Sequence, residues 1–182
     1  MRRWFLIRLL ALSSVAICFY ISYFFTNWFT VQRITTLGQD VPEIIFAWEH
    51  HLPFIDWTII PYWSLNLLYG CGFLLCKTDT EVKRYSLQLL TAQVIATMCF
   101  LTFPLQISWA KPVELSGFIG FLFKSLTELD LPYNQAPSLH IILSVIVGAL
   151  YVAKAPWRWL KWGIIVWFVF ISVSVLTTFQ HH

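Results

Sequence analysis

"PSLHIILSVIVGALYVAKAPWRWLKWGIIVWFVFISVSVLTTF", residues 137–179, holds two apolar runs, about 137 to 153 and 157 to 179, on either side of the short basic turn "KAPWRWLK" at 154–161. A bilayer core takes roughly 20 mostly apolar residues per helix. The stretch therefore reads as two antiparallel membrane helices joined at one surface. Working outward, three further runs of similar character occupy about 86 to 108, 57 to 76 and 4 to 25. The composition agrees: 58% of the 182 residues are hydrophobic and 12% charged, with 10 Trp and 16 Phe, more apolar surface than a soluble fold of this size can hide. The expected fold is an all-α polytopic membrane protein of about five transmembrane helices in one domain, residues 1–182. It shows no repeat, low-complexity tract or second domain.

The first run, "RRWFLIRLLALSSVAICFYISYFF" at 2–25, opens like a secretory or twin-arginine signal. A cleaved signal ends in small residues, whereas this one continues into Tyr20, Tyr23, Phe24 and Phe25. It reads as an uncleaved first helix. Lys and Arg in short loops stay on the cytoplasmic side. With the N-terminus inside, the inner segments carry Arg2, Arg3, Arg8, Lys77, Lys83, Arg84, Lys154, Arg158 and Lys161, against Arg33, Lys111 and Lys124 outside. The expected location is the inner (plasma) membrane, with a cytoplasmic N-terminus and a periplasmic or extracellular C-terminus. All five histidines, His50, His51, His140, His181 and His182, then lie on the outer side. Residues 26–56 read as an outer, interfacial connection that caps that surface, 77–85 as an inner turn and 109–136 as a long outer loop. Cys18, Cys71, Cys76 and Cys99 fall in or at the ends of spans, where they serve as small apolar residues.

Polar chemistry concentrates in "NQAPSLHIILSVIVG", 134–148. Pro137 suits the first turn of a helix, and Ser138 and His140 follow it. The fourth span would thus begin at the outer surface with free backbone N–H groups, a hydroxyl and an imidazole, an arrangement that holds a phosphate. The bland alternative is a capping serine beside an interfacial histidine.

"PSLH" at 137–140 resembles the second motif of the type 2 phosphatidic acid phosphatase superfamily, in the Pro-Ser-x-His form of the branch containing inositol phosphorylceramide synthases. Ser174, Val175, "LTTFQ" and His181 reproduce the spacing of the third motif, Ser-Arg, five residues, His, and "TTFQHH" resembles the wording of that branch. Val175 stands where the family's phosphate-binding Arg is usual. "AKPVE" at 110–114 offers Lys111 in the loop of the first motif. A similarity to bacterial proteins that join such a membrane domain to a dual-specificity phosphatase domain is also present. The family's bundle has six helices and an Asp four residues beyond the nucleophile, so the resemblance implies five of six helices, with the last helix missing and the domain incomplete at the third motif.

The resemblance implies a lipid phosphate phosphatase or phosphotransferase. His181 would be the nucleophile and His140 the acid, with Ser138, Lys111 and Ser174 binding phosphate, and neither metal nor cofactor taking part. The expected partners are membrane lipid and a phosphorylated lipid substrate, not nucleic acid. Two other classes fit the same residues: a catalytically inactive truncated relative or scaffold, and a metal-binding protein in which the outer histidines join Glu49 or Asp56.

Overall fold

The structure, a computed structural model, describes residues 2–38, 40–43, 46–106, 115–129, 133 and 136–179. Among them the regular elements are helical: α1 (Arg2–Leu37), α2 (Ile59–Leu75), α3 (Asp79–Thr102), α4 (Gly117–Leu129), α5 (Leu139–Lys154) and α6 (Arg158–Thr177), with single 3-10 turns at Glu49–His51 and Asp56–Thr58. Four segments are long and apolar enough to cross a membrane: Arg3–Leu37, Asp56–Leu75, Asp79–Thr102 and Arg158–Thr177. α5 is apolar but has 16 residues, about 24 Å of helix against a hydrocarbon core of about 30 Å.

α1 packs along α3 and α5 along α6, while α2 touches α1, α5 and α6 and so joins the two pairs. The buried centre takes Val15, Leu65, Phe73, Tyr85, Val147 and Ile171 from five different helices. Outward-facing positions are as apolar as the centre: Phe5, Leu10 and Ile21 on α1, and Trp159, Val166 and Val173 on α6, all lie exposed. A surface of that kind suits lipid. Two glycines set the closest approaches. A Cβ on Gly148 would lie 2.9 Å from the Phe168 ring, and one on Gly72 would lie 2.7 Å from the Tyr85 hydroxyl.

Hydropathy alone would end the first helix near residue 25, yet α1 continues to Leu37. Thr26, Asn27 and Thr30 carry it through the polar stretch by bonding back to their own helix, Thr26 Oγ1 and Asn27 Nδ2 to the Tyr23 carbonyl at 2.9 Å and Thr30 Oγ1 to the Thr26 carbonyl at 3.0 Å. The interfacial connection expected at 26–56 is therefore helical in its first third. Beyond it, Pro42 and Glu43 meet the chain leaving α3, through Gln106 N–H to the Pro42 carbonyl at 3.2 Å and Gln106 Nε2 to Glu43 Oε1 at 2.8 Å. The loop expected at 109–136 contains α4. The third span, expected over 86–108, is shifted toward the N-terminus because Thr78 caps α3 by accepting from Glu81 N–H.

One end of the bundle is held by charge. Arg8 is 1% exposed although it lies in an apolar helix. Its Nε and Nη2 donate to the Cys76 carbonyl at 3.0 and 2.8 Å, Nη2 also to the Lys77 carbonyl at 3.1 Å and Nη1 to the Trp4 carbonyl at 2.9 Å. The guanidinium lies 4.1 Å over the Trp4 ring and 3.5 Å from Asp79. Helix α2 stops at Leu75, where terminal carbonyls lose their intrahelical donors, and a cation also suits the negative end of the helix dipole. Close by, Lys154 at the end of α5 meets Glu81 at 2.6 Å, and Glu81 accepts from Lys77 N–H at the same distance.

Replacing Arg8 with Leu leaves the Cys76 and Lys77 carbonyls without these donors. We expect it to lower unfolding stability in detergent by about 2–4 kcal/mol, with Arg8→Lys intermediate because the fork geometry is lost while the charge stays. Denaturant titration of the three proteins checks this.

Candidate functional site

The opposite end of the bundle brings together the start of α5, the end of α6 and the start of α2. The α5–α6 hairpin places the first two side by side. α6 is then pinned to the segment entering α2: Ile55 N–H donates to the Thr177 carbonyl at 2.9 Å, and the Thr58 and Thr177 hydroxyls lie 2.8 Å apart. Past the helix end, Thr178 Oγ1 donates to the Ser174 carbonyl at 2.6 Å, and Phe179 turns into the left-handed region at φ 53°. Phe179 is buried, with its ring 5.3 Å from Phe54, which also lies 5.5 Å from Phe123 of α4. Few bulky residues adopt that backbone without surrounding support, and the ring contacts provide it.

At the start of α5, Ser138 is the N-cap, its Oγ accepting from Ile141 N–H at 3.4 Å. Pro137 therefore precedes the helix rather than occupying its first turn, a correction to the expectation from residue type. The cap forces it, because an extended Ser138 (φ −62°, ψ 106°) starts helical geometry at Leu139. His140 is the second helical residue and half-buried. Its ring stacks on Tyr62 of α2, with centroids 3.9 Å apart and planes 11° from parallel. Tyr62 is itself 3% exposed and packs in a cluster with Ile59, Phe123, Leu126 and Val175. The imidazole plane is thus set by its own helix, by α2 beneath it, and by the α4 and α6 residues that pack around Tyr62.

A cavity of about 470 Å³, lined in part by His140, runs between α1, α2, α4 and α5. Its walls are mainly apolar, with Tyr20, Asn66, Tyr69 and His140 among the polar exceptions.

Of the residues singled out by sequence, Ser138 and His140 both lie at the start of α5, and His140 lines the cavity. Ser174 does not join them: it is 1% exposed and its hydroxyl donates to the Ile171 carbonyl at 2.6 Å. Its neighbour Val175 packs in the cluster around Tyr62. His181, His182 and Lys111 lie outside the described residues, as do several positions around them. His50 and His51 sit exposed on a 3-10 turn, and among the described residues no three His, Cys, Asp or Glu side chains converge. All four cysteines are free. Tyr62, Asn66 and Tyr69 escaped notice in the sequence, although their spacing of four and three places one polar stripe on a helix that is otherwise apolar. Compared with known proteins, the chain matches no family model, no curated protein and no solved structure.

The ring contacts of Phe54 hold the exit from α6 in place. Phe54→Ala is expected to raise amide hydrogen exchange at Thr178 and Phe179 at least about tenfold, the equivalent of losing about 1.4 kcal/mol of local protection. Exchange in the middle of α3 should not change, and mass spectrometry of the exchanged protein reads both.

Proposed function

We propose that the chain is the membrane domain of a lipid phosphate phosphatase or phosphotransferase related to the type 2 phosphatidic acid phosphatases, working at the outer membrane face. The observation that carries the reading is the shared corner. The helix start bearing Ser138 and His140 and the helix end that leads on to His181 both pack on the opening turns of α2, and His140 there lines an apolar cavity. A lipid whose phosphate lies at that corner keeps its hydrocarbon among apolar walls.

The chemistry follows from two imidazoles. A neutral His181 nitrogen attacks phosphorus, forming an N–P bond as the P–O bond to the lipid breaks. Protonated His140 delivers its proton to the departing alkoxide. Water, or a lipid or sugar hydroxyl, then attacks the phosphohistidine, giving its proton to His140 as the N–P bond breaks. Lys111, Ser138 and the N–H groups at the start of α5 would hold the equatorial oxygens, where the transferring group carries charge. Stacking on Tyr62 supports the role of His140, because a donor must be held in one plane to reach the leaving oxygen.

The orientation belongs to the same reading. Arg8, Lys77 and Lys154 gather at the end away from His140, which supports a cytoplasmic position for that end, with α5 taken as a short fifth crossing. Two observations favour a catalytically inactive relative or scaffold: Val175 is fully buried among apolar side chains and Ser174 is turned into its own helix.

Two measurements test this. Alkaline phosphatase fused after His182 should be active and fused after Lys83 inactive; the opposite pattern removes both orientation and site. Incubated with a radiolabelled lipid phosphate, the protein should form an acid-labile phosphoenzyme that His181→Ala abolishes. His140→Ala should slow release of an alkyl alcohol by about 10²–10⁴-fold while barely affecting a nitrophenyl leaving group, whose oxygen needs no proton. Equal loss on both substrates would remove His140 from the acid role, and no phosphoenzyme at all would leave the inactive-relative reading.

A further inference from the structure

The cavity beside His140 has two polar groups that its apolar walls do not explain. The Tyr69 hydroxyl makes no hydrogen bond and its oxygen is shielded from solvent, and Asn66, an exposed residue on the cavity wall, makes no side-chain hydrogen bond among the described residues. Unmatched donors at membrane depth are costly, and in such proteins they mark places where a ligand supplies the partner.

Their positions are informative. Asn66 and Tyr69 lie four and seven residues beyond Tyr62, on which His140 stacks, or about 6 and 10 Å further along α2. Helical side chains lean toward the N-terminus, so the Tyr69 ring tilts back toward Asn66. Both groups then address a level roughly one helical turn below the imidazole. In an acylated lipid the first acyl carbonyl stands about 5–6 Å from phosphorus, four to five bonds of about 1.5 Å in a bent chain. A purely hydrocarbon alcohol phosphate offers nothing to bond at that level. Below it the lining is apolar, with Leu12 and Ala16 of α1 beside Gly70 of α2. Along α1 the whole cavity extends about 16 Å, from Tyr23 to Leu12, so one tail can enter it beyond the carbonyl level.

We infer that Asn66 and Tyr69 are specificity-determining residues that donate hydrogen bonds to the acyl carbonyl, ester or amide, of a lipid whose phosphate lies at His140 and one of whose tails enters the cavity. The inference rests on the phosphate placement given under Proposed function. It selects glycerolipid or sphingolipid phosphates over ether-linked and isoprenoid ones.

The test is binding of defined lipids to the detergent-solubilised full chain, measured by native mass spectrometry against a fluorescent competitor. The panel is a diacyl phosphatidate, a ceramide phosphate, a dialkyl ether phosphatidate of equal chain length, and the diacylglycerol and dialkylglycerol without phosphate. The two acyl phosphates should bind about tenfold tighter than the ether lipid, as two modest hydrogen bonds provide. The double variant Asn66→Leu with Tyr69→Phe should erase that preference while leaving ether-lipid affinity unchanged, which also shows that the variant is folded. Equal wild-type affinity for acyl and ether lipids overturns the inference, as does a preference that survives the double variant. If diacylglycerol keeps the preference over its dialkyl counterpart and phosphate adds nothing, the carbonyl subsite stands and the phosphate placement fails.

Discussion

A helix end buried away from water must find donors for its last carbonyls within the protein. At the close of α2 that need is met by one side chain. Arg8 reaches from α1 to the Cys76 and Lys77 carbonyls, fixing the two helices against each other and setting the point from which α3 departs. α3 in turn lies along α1, and Lys154 of α5 closes on Glu81 beside the same turn. Four helices are thereby registered at one end. A buried cation is stable only with such a set of partners, and Arg8 has carbonyls, a ring face and a carboxylate within reach.

The other end is built differently. It has aromatic contacts, one pair of threonine hydroxyls and a left-handed Phe179. Contacts of this kind permit local opening more readily than the charged end does. Under the proposed function, a site that admits a lipid from the side would benefit from that asymmetry, since the charged end holds the bundle together.

Much of the architecture was legible because hydrophobic length is a strong signal: the α5–α6 hairpin and the position of His140 near a helix start follow from 137–179 alone. What hydropathy does not carry is direction. A helix that is apolar all round gives no face, so the stacking of His140 on Tyr62 and the polar stripe formed with Asn66 and Tyr69 could not be read. Arg8 counted only as a loop charge, because nothing in its neighbours shows that two carbonyls 68 and 69 residues away need it. The extension of α1 was hidden by Thr26, Asn27 and Thr30, whose self-bonding makes polar residues compatible with a membrane helix. Pro137 and Ser138 were displaced by one register, since either can open a helix and only the backbone angles decide which does. Ser174 looked available for phosphate, but one rotamer commits its hydroxyl to the preceding turn.

The central claim is that the start of α5 and the chain leaving α6 form one phosphoryl-transfer centre. It is tested most directly by determining the structure of the protein with orthovanadate, which adopts the five-coordinate geometry of phosphorus in flight. The account predicts vanadate at the mouth of the cavity, bonded to a His181 nitrogen, with His140 within hydrogen-bonding distance of the opposite apical oxygen and its ring still on Tyr62. Vanadate bound elsewhere, or a structure in which His181 points away from His140 with the anion present at saturating concentration, would contradict it.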